Sequence, residues 1–177
     1  MEKSLKSRAI NFGIYLGIGL SVLFFLAYFF DLDLFVNFWY GISIYFIVII
    51  FGTISIIKTK ISSNGFLSFK DAFSVYFLTI LIGLLISSLL SYMIFNFIDP
   101  DSADVLKEKS IDKMVEVLEK MNKPKEEIDT TINNAKTGNL YSISNVFQGL
   151  IFSYLIPLSI IGLLVAAAMK KNNPDEA

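Results

Sequence analysis

The sequence predicts an all-α membrane protein with four transmembrane helices and, between helices 3 and 4, an extramembrane amphipathic helical hairpin. The composition supports this class, because 54% of the 177 residues are hydrophobic and only 18% are charged, against about a quarter in a soluble domain. Four long runs contain no charged residue, and one charge-dense segment separates the third run from the fourth. The whole chain, 1–177, is therefore predicted to be a single membrane domain.

The four charge-free runs are each long enough to cross a bilayer. A spanning helix needs about 20 apolar residues at a rise of about 1.5 Å each. The runs cover residues 10–30, 35–57, 72–98 and 146–169. The first is too long for the apolar core of a signal peptide, and no small-residue cleavage site follows it, so we expect a retained helix.

The connections and the special residues of the runs predict local geometry. The short link "DLDL" joins helices 1 and 2 in a tight antiparallel pair, and Ser68 with Asp71 forms an Asp variant of the capping box that begins helix 3. Pro157 is expected to kink helix 4 and to free the carbonyl of Ser153. The spacing Gly13-x-x-x-Gly17 allows close helix approach, either within the chain or in a dimer.

The charge-dense segment "IDPDSADVLKEKSIDKMVEVLEKMNKPKEEID" begins at residue 98 and is predicted to be folded. At about 100° per residue its charged side chains lie mostly on one half of a helix, and the apolar ones lie on the other half. The apolar half contains Leu106, Ile111, Met114, Val115, Val117, Leu118 and Met121.

The limits of this hairpin follow from capping signals. Asp101 or Ser102 is expected to cap its first helix, and Pro124 is expected at the start of a second helix over about 125–135. Gly138 is a candidate C-cap. The hairpin is therefore predicted at about 101–137.

Three surfaces could cover the apolar half of the first hairpin helix: the membrane interface, the ends of the spanning helices, or a partner, including a second copy. Residues 104–121 contain four lysines and five acids, so electrostatic attraction to anionic lipid is not expected. The candidate partner-binding residues are Ile111, Met114, Glu116, Leu118 and Lys120.

Composition argues against several function classes. The net charge of −1 provides no basic footprint for nucleic acid, and the chain has no cysteine and no histidine. Disulfides, thiol nucleophiles and thiolate metal sites are therefore excluded, and a zinc, iron or copper site would need carboxylates alone, which those metals seldom accept. No phosphate-binding glycine loop or nucleophile elbow is present. We therefore expect a protein that is not an enzyme and that carries no cofactor.

Four aspartates form a weak candidate metal cluster. Asp31, Asp33, Asp99 and Asp101 are predicted at the same membrane face, with Asn37, Asn96 and Tyr92 nearby, and oxygen ligands of this kind suit Ca²⁺. The simpler interpretation is that these charges mark the points at which the chain leaves the lipid, and no metal site is otherwise expected.

Polar side chains within the third and fourth runs are the other candidates. They could line a water-filled path or could bond between helices and to backbone carbonyls. No run contains an intramembrane charge, so a proton or ion relay is not supported. The set comprises Ser74, Thr79, Ser87, Ser88, Ser91, Gln148, Ser153, Tyr154 and Ser159.

The positions of lysine and arginine predict the orientation. One side collects eight bases in short segments: Lys3, Lys6, Arg8, Lys58, Lys60, Lys70, Lys170 and Lys171. Since such residues favour the cytoplasmic side, both termini are expected there, with residues 99–145 on the other side. The polar tail 172–177 is expected to be frayed.

The chain resembles a family of small bacterial membrane proteins, mainly of Bacteroidota type, known as domain of unknown function 4199. The matching stretches are "FLSFKDAFSVYFLTILIGLLISSL", "IDPD", "MNKPKEEID" and "GLIFSYLIPLSIIGLLVAAAMKKNNP". The resemblance implies four spans, a bacterial inner-membrane location and a periplasmic position for residues 99–145. It implies no activity, substrate or catalytic residue.

The leading functional hypothesis is a non-enzymatic accessory or scaffold subunit of the inner membrane. Its hairpin would pack on the bundle and dock a membrane protein partner or a second copy, with the lipid bilayer as the other partner. The alternative is a small transporter or channel for a lipid or an apolar solute. Cation sensing through the four aspartates is a third hypothesis.

Overall fold

The computed structural model describes residues 2–171, with side chains from Ser4 onward. The predicted tail 172–177 and the Lys3 side chain lie outside this described part. Four helices are long and apolar enough to cross a membrane: Ser4–Phe30, Phe38–Ser62, Phe69–Ile98 and Ile143–Met169. The described residues contain no β-strand beyond one isolated bridge, so the all-helical class with four potential spans is confirmed.

Residues 2–171 form seven α-helices. They are α1 (Glu2–Phe30), α2 (Phe38–Ser62), α3 (Phe69–Met93), α4 (Pro100–Lys120), α5 (Lys125–Thr137), α6 (Ile143–Gln148) and α7 (Ile156–Met169). A 3-10 helix, Leu32–Val36, lies between α1 and α2, and a π-helical turn, Ile94–Ile98, extends α3. A second π-helical segment, Gly149–Leu155, joins α6 to α7, so that these three elements form the last spanning helix.

The two ends of the bundle differ in charge. At one end the Lys60 ammonium donates to the carbonyl of Met169 at 2.7 Å, and the backbones of Leu67 and Lys171 exchange hydrogen bonds of 2.8 Å. At the other end the Tyr28 hydroxyl donates to the carboxylate of Asp99 at 2.5 Å. We name these the lysine end and the aspartate end.

Glycines set the closest helix contacts. A Cβ on Gly13 would lie 2.7 Å from the Cβ of Ile82, and one on Gly17 would lie 2.8 Å from Ile86. The Gly-x-x-x-Gly spacing therefore serves packing of α1 on α3 within the chain. Such contacts matter in a membrane, where helices associate through van der Waals packing rather than through hydrophobic burial.

Tyr76 of α3 is held between two glycines of neighbouring helices. A Cβ on Gly52 of α2 or on Gly162 of α7 would lie 2.4 Å from its ring. Tyr76 is fully buried, and it belongs to a core that runs through the lysine-end half of the bundle. Here α2, α3 and α7 pack without a gap that a methyl group could enter.

The predicted capping motif at the start of α3 is confirmed, and the second span has a different cap. Ser68 caps α3: its Oγ accepts from the Asp71 N–H at 3.1 Å and donates to the Asp71 carboxylate at 2.7 Å. The second span begins at Phe38 instead of residue 35, because the 3-10 helix lies before it. Asn37 caps it by accepting from the Trp39 N–H at 2.9 Å.

The cap of α4 also differs from the prediction. Asp99, rather than Asp101 or Ser102, is the N-cap, and its carboxylate accepts from the Ser102 N–H at 3.0 Å. Pro100 occupies the first helical turn. Proline suits this position because its missing N–H is one that the helix leaves unpaired.

The first half of α4 packs on the aspartate end of the bundle. Leu106 is fully buried in a cluster with Phe24, Ile94 and Phe95, and Lys109 forms an ion pair with Asp33 of the 3-10 helix. Since α4 begins where α3 ends and reaches the 3-10 helix within about three turns, it crosses the end of the bundle.

α5 contacts α4. The Lys107 ammonium donates to the carbonyl of Lys136 at 2.5 Å, and Ile128 is buried. α5 extends to Thr137, two residues beyond its predicted end, and Gly138 is its C-cap in an extended conformation.

Candidate functional site

The last spanning helix is irregular where it passes the middle of the bundle. Pro157 has no N–H to offer to the carbonyl of Ser153, as the sequence predicts, and the hydroxyl of Tyr45 from α2 donates to that carbonyl. The ring of Tyr45 stacks on that of Tyr154, with centroids 5.2 Å apart. A carbonyl exposed by proline is thus paired across the bundle.

Towards the aspartate end from this contact, the helices separate around a cavity of about 280 Å³. All four spanning helices and the segment that joins α5 to α6 contribute to its walls. α2 packs closely on α7 but much less on the π-helical segment before it, so the cavity is a cleft open to the surroundings. Its lining is Leu20, Phe24, Phe35, Tyr40, Ile44, Leu84, Ser87, Ser88, Ser91, Leu140, Tyr141, Asn145, Val146, Gly149, Leu150 and Tyr154.

Three serines of α3 form the polar strip of this cleft. Ser87 and Ser91 are four residues apart and so lie one above the other, and Ser88 is next to them. Within residues 2–171 their hydroxyls have no protein hydrogen-bond partner, whereas Ser159 donates to the carbonyl four residues before it at 2.6 Å. Hydroxyls left free in an apolar cleft are available to a ligand.

The other polar groups of the cleft shape it. The Tyr40 hydroxyl donates to the carbonyl of Leu23 at 2.9 Å and so ties α2 to α1. At the rim, the ring of Tyr141 packs on Phe95 at 4.4 Å, and burial raises the pKa of Tyr141 to about 12. No charged residue lines the cleft, so its chemistry is that of neutral hydroxyls and apolar surface.

The polar side chains singled out in the third and fourth runs divide into two groups. Ser87, Ser88, Ser91 and Tyr154 line the cleft. Thr79 instead donates to the carbonyl of Ala9 at 3.2 Å, which joins α3 to α1. Ser74 and Gln148 are exposed away from the cleft.

The four candidate aspartates lie in different local environments. Asp31 caps the 3-10 helix by accepting from the Asp33 N–H at 2.9 Å, and Asp33 pairs with Lys109. Asp99 caps α4, and Asp101 is exposed in the first turn of that helix. Among residues 2–171 no group of three or more acidic side chains is placed to hold a metal ion.

The amides proposed beside these aspartates have structural partners as well. Asn37 caps α2, and Asn96 donates to the carbonyls of Tyr92 at 2.9 Å and Tyr141 at 2.8 Å. Short polar side chains at helix ends commonly bind the nearest free backbone groups in this way.

The candidate partner-binding residues of α4 lie in different environments. Ile111 is 7% exposed and Leu118 is half-buried, so both are covered within the chain. Met114 is 37% exposed, and Lys120 is exposed and bonds to Glu116 at 2.6 Å. Hydrogen bonds from Lys113 and Lys120 lower the pKa of Glu116 to about 2.

Part of the cleft escaped prediction from the sequence. Tyr45, Tyr141 and Gly149 were not among the predicted residues. Tyr141 and Gly149 line the cleft, and Tyr45 donates to the Ser153 carbonyl. Pro157 was the available signal, because a carbonyl freed in lipid requires a donor on a neighbouring helix. Nothing in the sequence indicates which of the eight tyrosines supplies it.

Comparison with known proteins identifies a family but no individual protein that the chain resembles. No curated protein and no solved structure matches the chain. The family model described as "Protein of unknown function (DUF4199)" matches residues 11–171. This range includes all the described helices except the first turns of α1, in agreement with the resemblance in the sequence. The chain belongs to the DUF4199 family.

Proposed function

We propose that the protein binds a lipid or another neutral, largely apolar solute in the cleft, and that it acts as a small carrier or transporter for it. The free hydroxyls of Ser87, Ser88 and Ser91 in an otherwise apolar cavity are the observation that supports this proposal. Ligand sites commonly combine an apolar lining with a few convergent polar groups. The volume of about 280 Å³ suits one chain segment rather than a whole phospholipid.

The absence of charge in the cleft restricts the ligand class. An ion or a charged head group would lose its hydration there without gaining a counter-charge. An acyl chain with an ester or hydroxyl group can contact the apolar lining with its chain and bond to the serine hydroxyls with its polar group. Because α2 packs less on the π-helical segment than on α7, we propose lateral entry from lipid between α2 and that segment.

A photoactivatable lipid tests this proposal with a matched pair of variants. A Cβ on Gly149 or on Gly41 would meet nothing within 4 Å, but only Gly149 lines the cleft. We expect Gly149→Leu to fill the cleft and to lower labelling of α3 and the π-helical segment at least about fivefold, which corresponds to about 1 kcal/mol of binding. Gly41→Leu should label as the wild type does. Equal labelling of both variants excludes the cleft as the site.

An accessory role, in which α4 and α5 form an extramembrane hairpin that docks a partner, is the second candidate. It draws support from two apolar side chains that the described residues leave largely exposed: Val117 of α4 is 53% exposed, and Met121, the C-cap of α4, is 61% exposed. Cross-linkers at Glu116 and Lys120 in native membranes test it, with Asn133 of α5 as the control position. Recovery of monomer alone from both positions excludes a stable partner or second copy at this face.

The proposed location is a bacterial inner membrane, with both termini in the cytoplasm and residues 99–145 in the periplasm. Its support is the gathering of Arg8, Lys60 and Lys171 at the lysine end of the bundle. Alkaline phosphatase fused after Lys120 should be active, and the same enzyme fused after Lys171 should be inactive. The reverse pattern would invert the orientation.

A further inference from the structure

A second apolar cavity lies at the lysine end, remote from the cleft. It measures about 270 Å³, and the described residues that line it all belong to α1 and α3. Because no residue of α2, α6 or α7 contributes, it opens on the outward side of the α1–α3 pair. Its apolar walls are Leu5, Ala9, Phe73, Val75, Phe77 and Leu78. We name it the α1–α3 groove.

Two lysines stand at the edge of this groove. Lys6 of α1 and Lys70 of α3 both line it, both are exposed, and neither forms an ion pair with a described residue. Asp71, the acidic residue of the lining, is bonded to the Ser68 hydroxyl at 2.7 Å and caps its own helix. Among the side chains that the structure describes, the groove therefore presents two ammonium groups without an ion-pair partner above an apolar floor.

The groove also lies at the depth where lipid changes from head group to chain. The charge-free stretch of α1 begins at residue 10 and that of α3 begins at residue 72, just past the two lysines. The rings of Phe73 and Phe77, with centroids 5.9 Å apart, form a wall along the direction of a lipid chain. Basic pockets between spanning helices at such a depth are typical sites for anionic head groups.

We propose that the α1–α3 groove binds one anionic phospholipid of the adjoining leaflet. Its phosphate lies between the ammonium groups of Lys6 and Lys70, and one of its chains lies against Phe73 and Phe77. Charge complementarity selects this occupant. A zwitterionic lipid would place the cationic group of its head group beside two lysines. An apolar partner helix would leave both lysines without a counter-charge.

Binding of phosphatidylglycerol to the full-length protein in detergent, measured by native mass spectrometry, tests the proposal. The double variant Lys6→Gln/Lys70→Gln should bind about thirty-fold more weakly, since each lysine near an anionic lipid contributes a several-fold factor. Lys58→Gln is the matched control, because Lys58 is exposed at the same end but does not line the groove. It should bind as the wild type does.

A second variant separates chain binding from general charge attraction. Ser74 is an exposed residue that lines the groove, and Ser74→Phe should fill it without changing any charge. We expect phosphatidylglycerol binding to fall about tenfold in this variant, while Gly41→Leu, at a position that lines neither cavity, leaves it unchanged. Phosphatidylcholine should bind weakly to all forms, and inorganic phosphate should not compete at equal concentration.

Three results would overturn the proposal. The first is equal loss in Lys58→Gln and in the double variant, which indicates attraction to the whole lysine end. The second is undiminished binding in Ser74→Phe, or competition by inorganic phosphate, which indicates that the anion alone is recognised. The third is equal affinity for phosphatidylcholine, which removes the role of the two lysines.

Discussion

In the lysine-end half of the bundle, α2, α3 and α7 pack together without a gap that a methyl group could enter, and we call it the closed half. In the aspartate-end half, which we call the open half, the helices separate around the cleft. In the closed half, Tyr76 fills the space that Gly52 and Gly162 leave between three helices. In the open half, Gly149 faces a cavity and no ring enters the space beside it. Glycine therefore does not by itself bring helices together, because its effect depends on whether a neighbouring helix offers a side chain of the right length.

The two halves also differ in their charged contacts. Each contains a packed apolar cluster, around Tyr76 in the closed half and around Phe24 and Phe95 at the aspartate end. At the aspartate end, contacts of carboxylates join the elements as well, from Tyr28 to Asp99 and from Lys109 to Asp33. The closed half should respond most to changes of volume, and the aspartate end should respond to changes of charge.

The largest expected effect is the loss of the closed packing around Tyr76. Gly162→Ala places a methyl group 2.4 Å from the Tyr76 ring, and overpacking at such a site should lower the free energy of unfolding by about 3 kcal/mol. Unfolding in detergent mixtures with a rising fraction of dodecyl sulfate measures this. Gly19→Ala is the control, because its Cβ meets nothing within 4 Å. Equal stability of the two variants would show that the two halves pack alike.

The second effect concerns the Tyr76 hydroxyl, which is buried without a hydrogen-bond partner. Tyr76→Phe removes an unsatisfied buried group, so the free energy of unfolding should rise by about 2 kcal/mol. Tyr40→Phe should lower it by about 1 kcal/mol, because that hydroxyl donates to Leu23. The same unfolding titration compares both. A loss of stability in Tyr76→Phe would indicate a partner, such as a buried water.

The boundary between the halves is the contact of Tyr45 with the Ser153 carbonyl. Tyr45→Phe should lower the free energy of unfolding by about 1.5 kcal/mol, because the carbonyl that Pro157 leaves free loses its donor. In Pro157→Ala the new N–H can replace that donor, so Tyr45→Phe should then have a smaller effect. A double-mutant cycle measures the coupling. Additive effects would contradict this pairing.

The smallest effect is a dependence on pH at the aspartate end. Hydrogen bonds from Ser102, and then from Tyr28, hold the pKa of Asp99 below its usual 3.8. A lowered pKa in the folded state stabilises the fold above about pH 4. That stabilisation is lost as the pH falls through the folded-state pKa.

The variant Asp99→Asn isolates this titration, because asparagine keeps the capping oxygen and carries no charge. The Tm of the wild type should exceed that of Asp99→Asn at pH 7 by a few degrees at most, and the difference should vanish towards pH 3. The single tryptophan, Trp39, follows Asn37 in the first turn of α2 and reports on this end. A constant difference across this range would contradict the role of the Asp99 charge.

Local signals in the sequence predicted local structure well. Ser68 and Asp71 are three residues apart, and their motif begins α3 as expected. The same rules misplaced the cap of α4, since Asp101 and Ser102 are also good caps, whereas the N-cap is Asp99 with Pro100 in the first turn. Competing caps a few residues apart differ little in energy, so the packing of α4 on the bundle selects among them.

The apolar side chains of α4 show where periodicity stops being informative. The helical wheel assigns Leu106, Ile111 and Val117 to one half of the helix. In the structure the bundle covers Leu106, Ile111 is buried, and Val117 is 53% exposed. Periodicity describes the helix surface alone, and the neighbouring elements determine which part of that surface is buried.

The sequence by itself determined the number of spans, their approximate limits, several helix caps and the family. These properties depend on neighbours in the chain or on transfer from water to lipid, which each segment experiences separately. Only the tertiary structure decided that Tyr76 closes one half, that Ser87, Ser88 and Ser91 remain free in the other, and that Lys6 and Lys70 share a groove. Each of these depends on side chains from different helices meeting within a few ångströms, and apolar sequences of similar composition can meet in many ways.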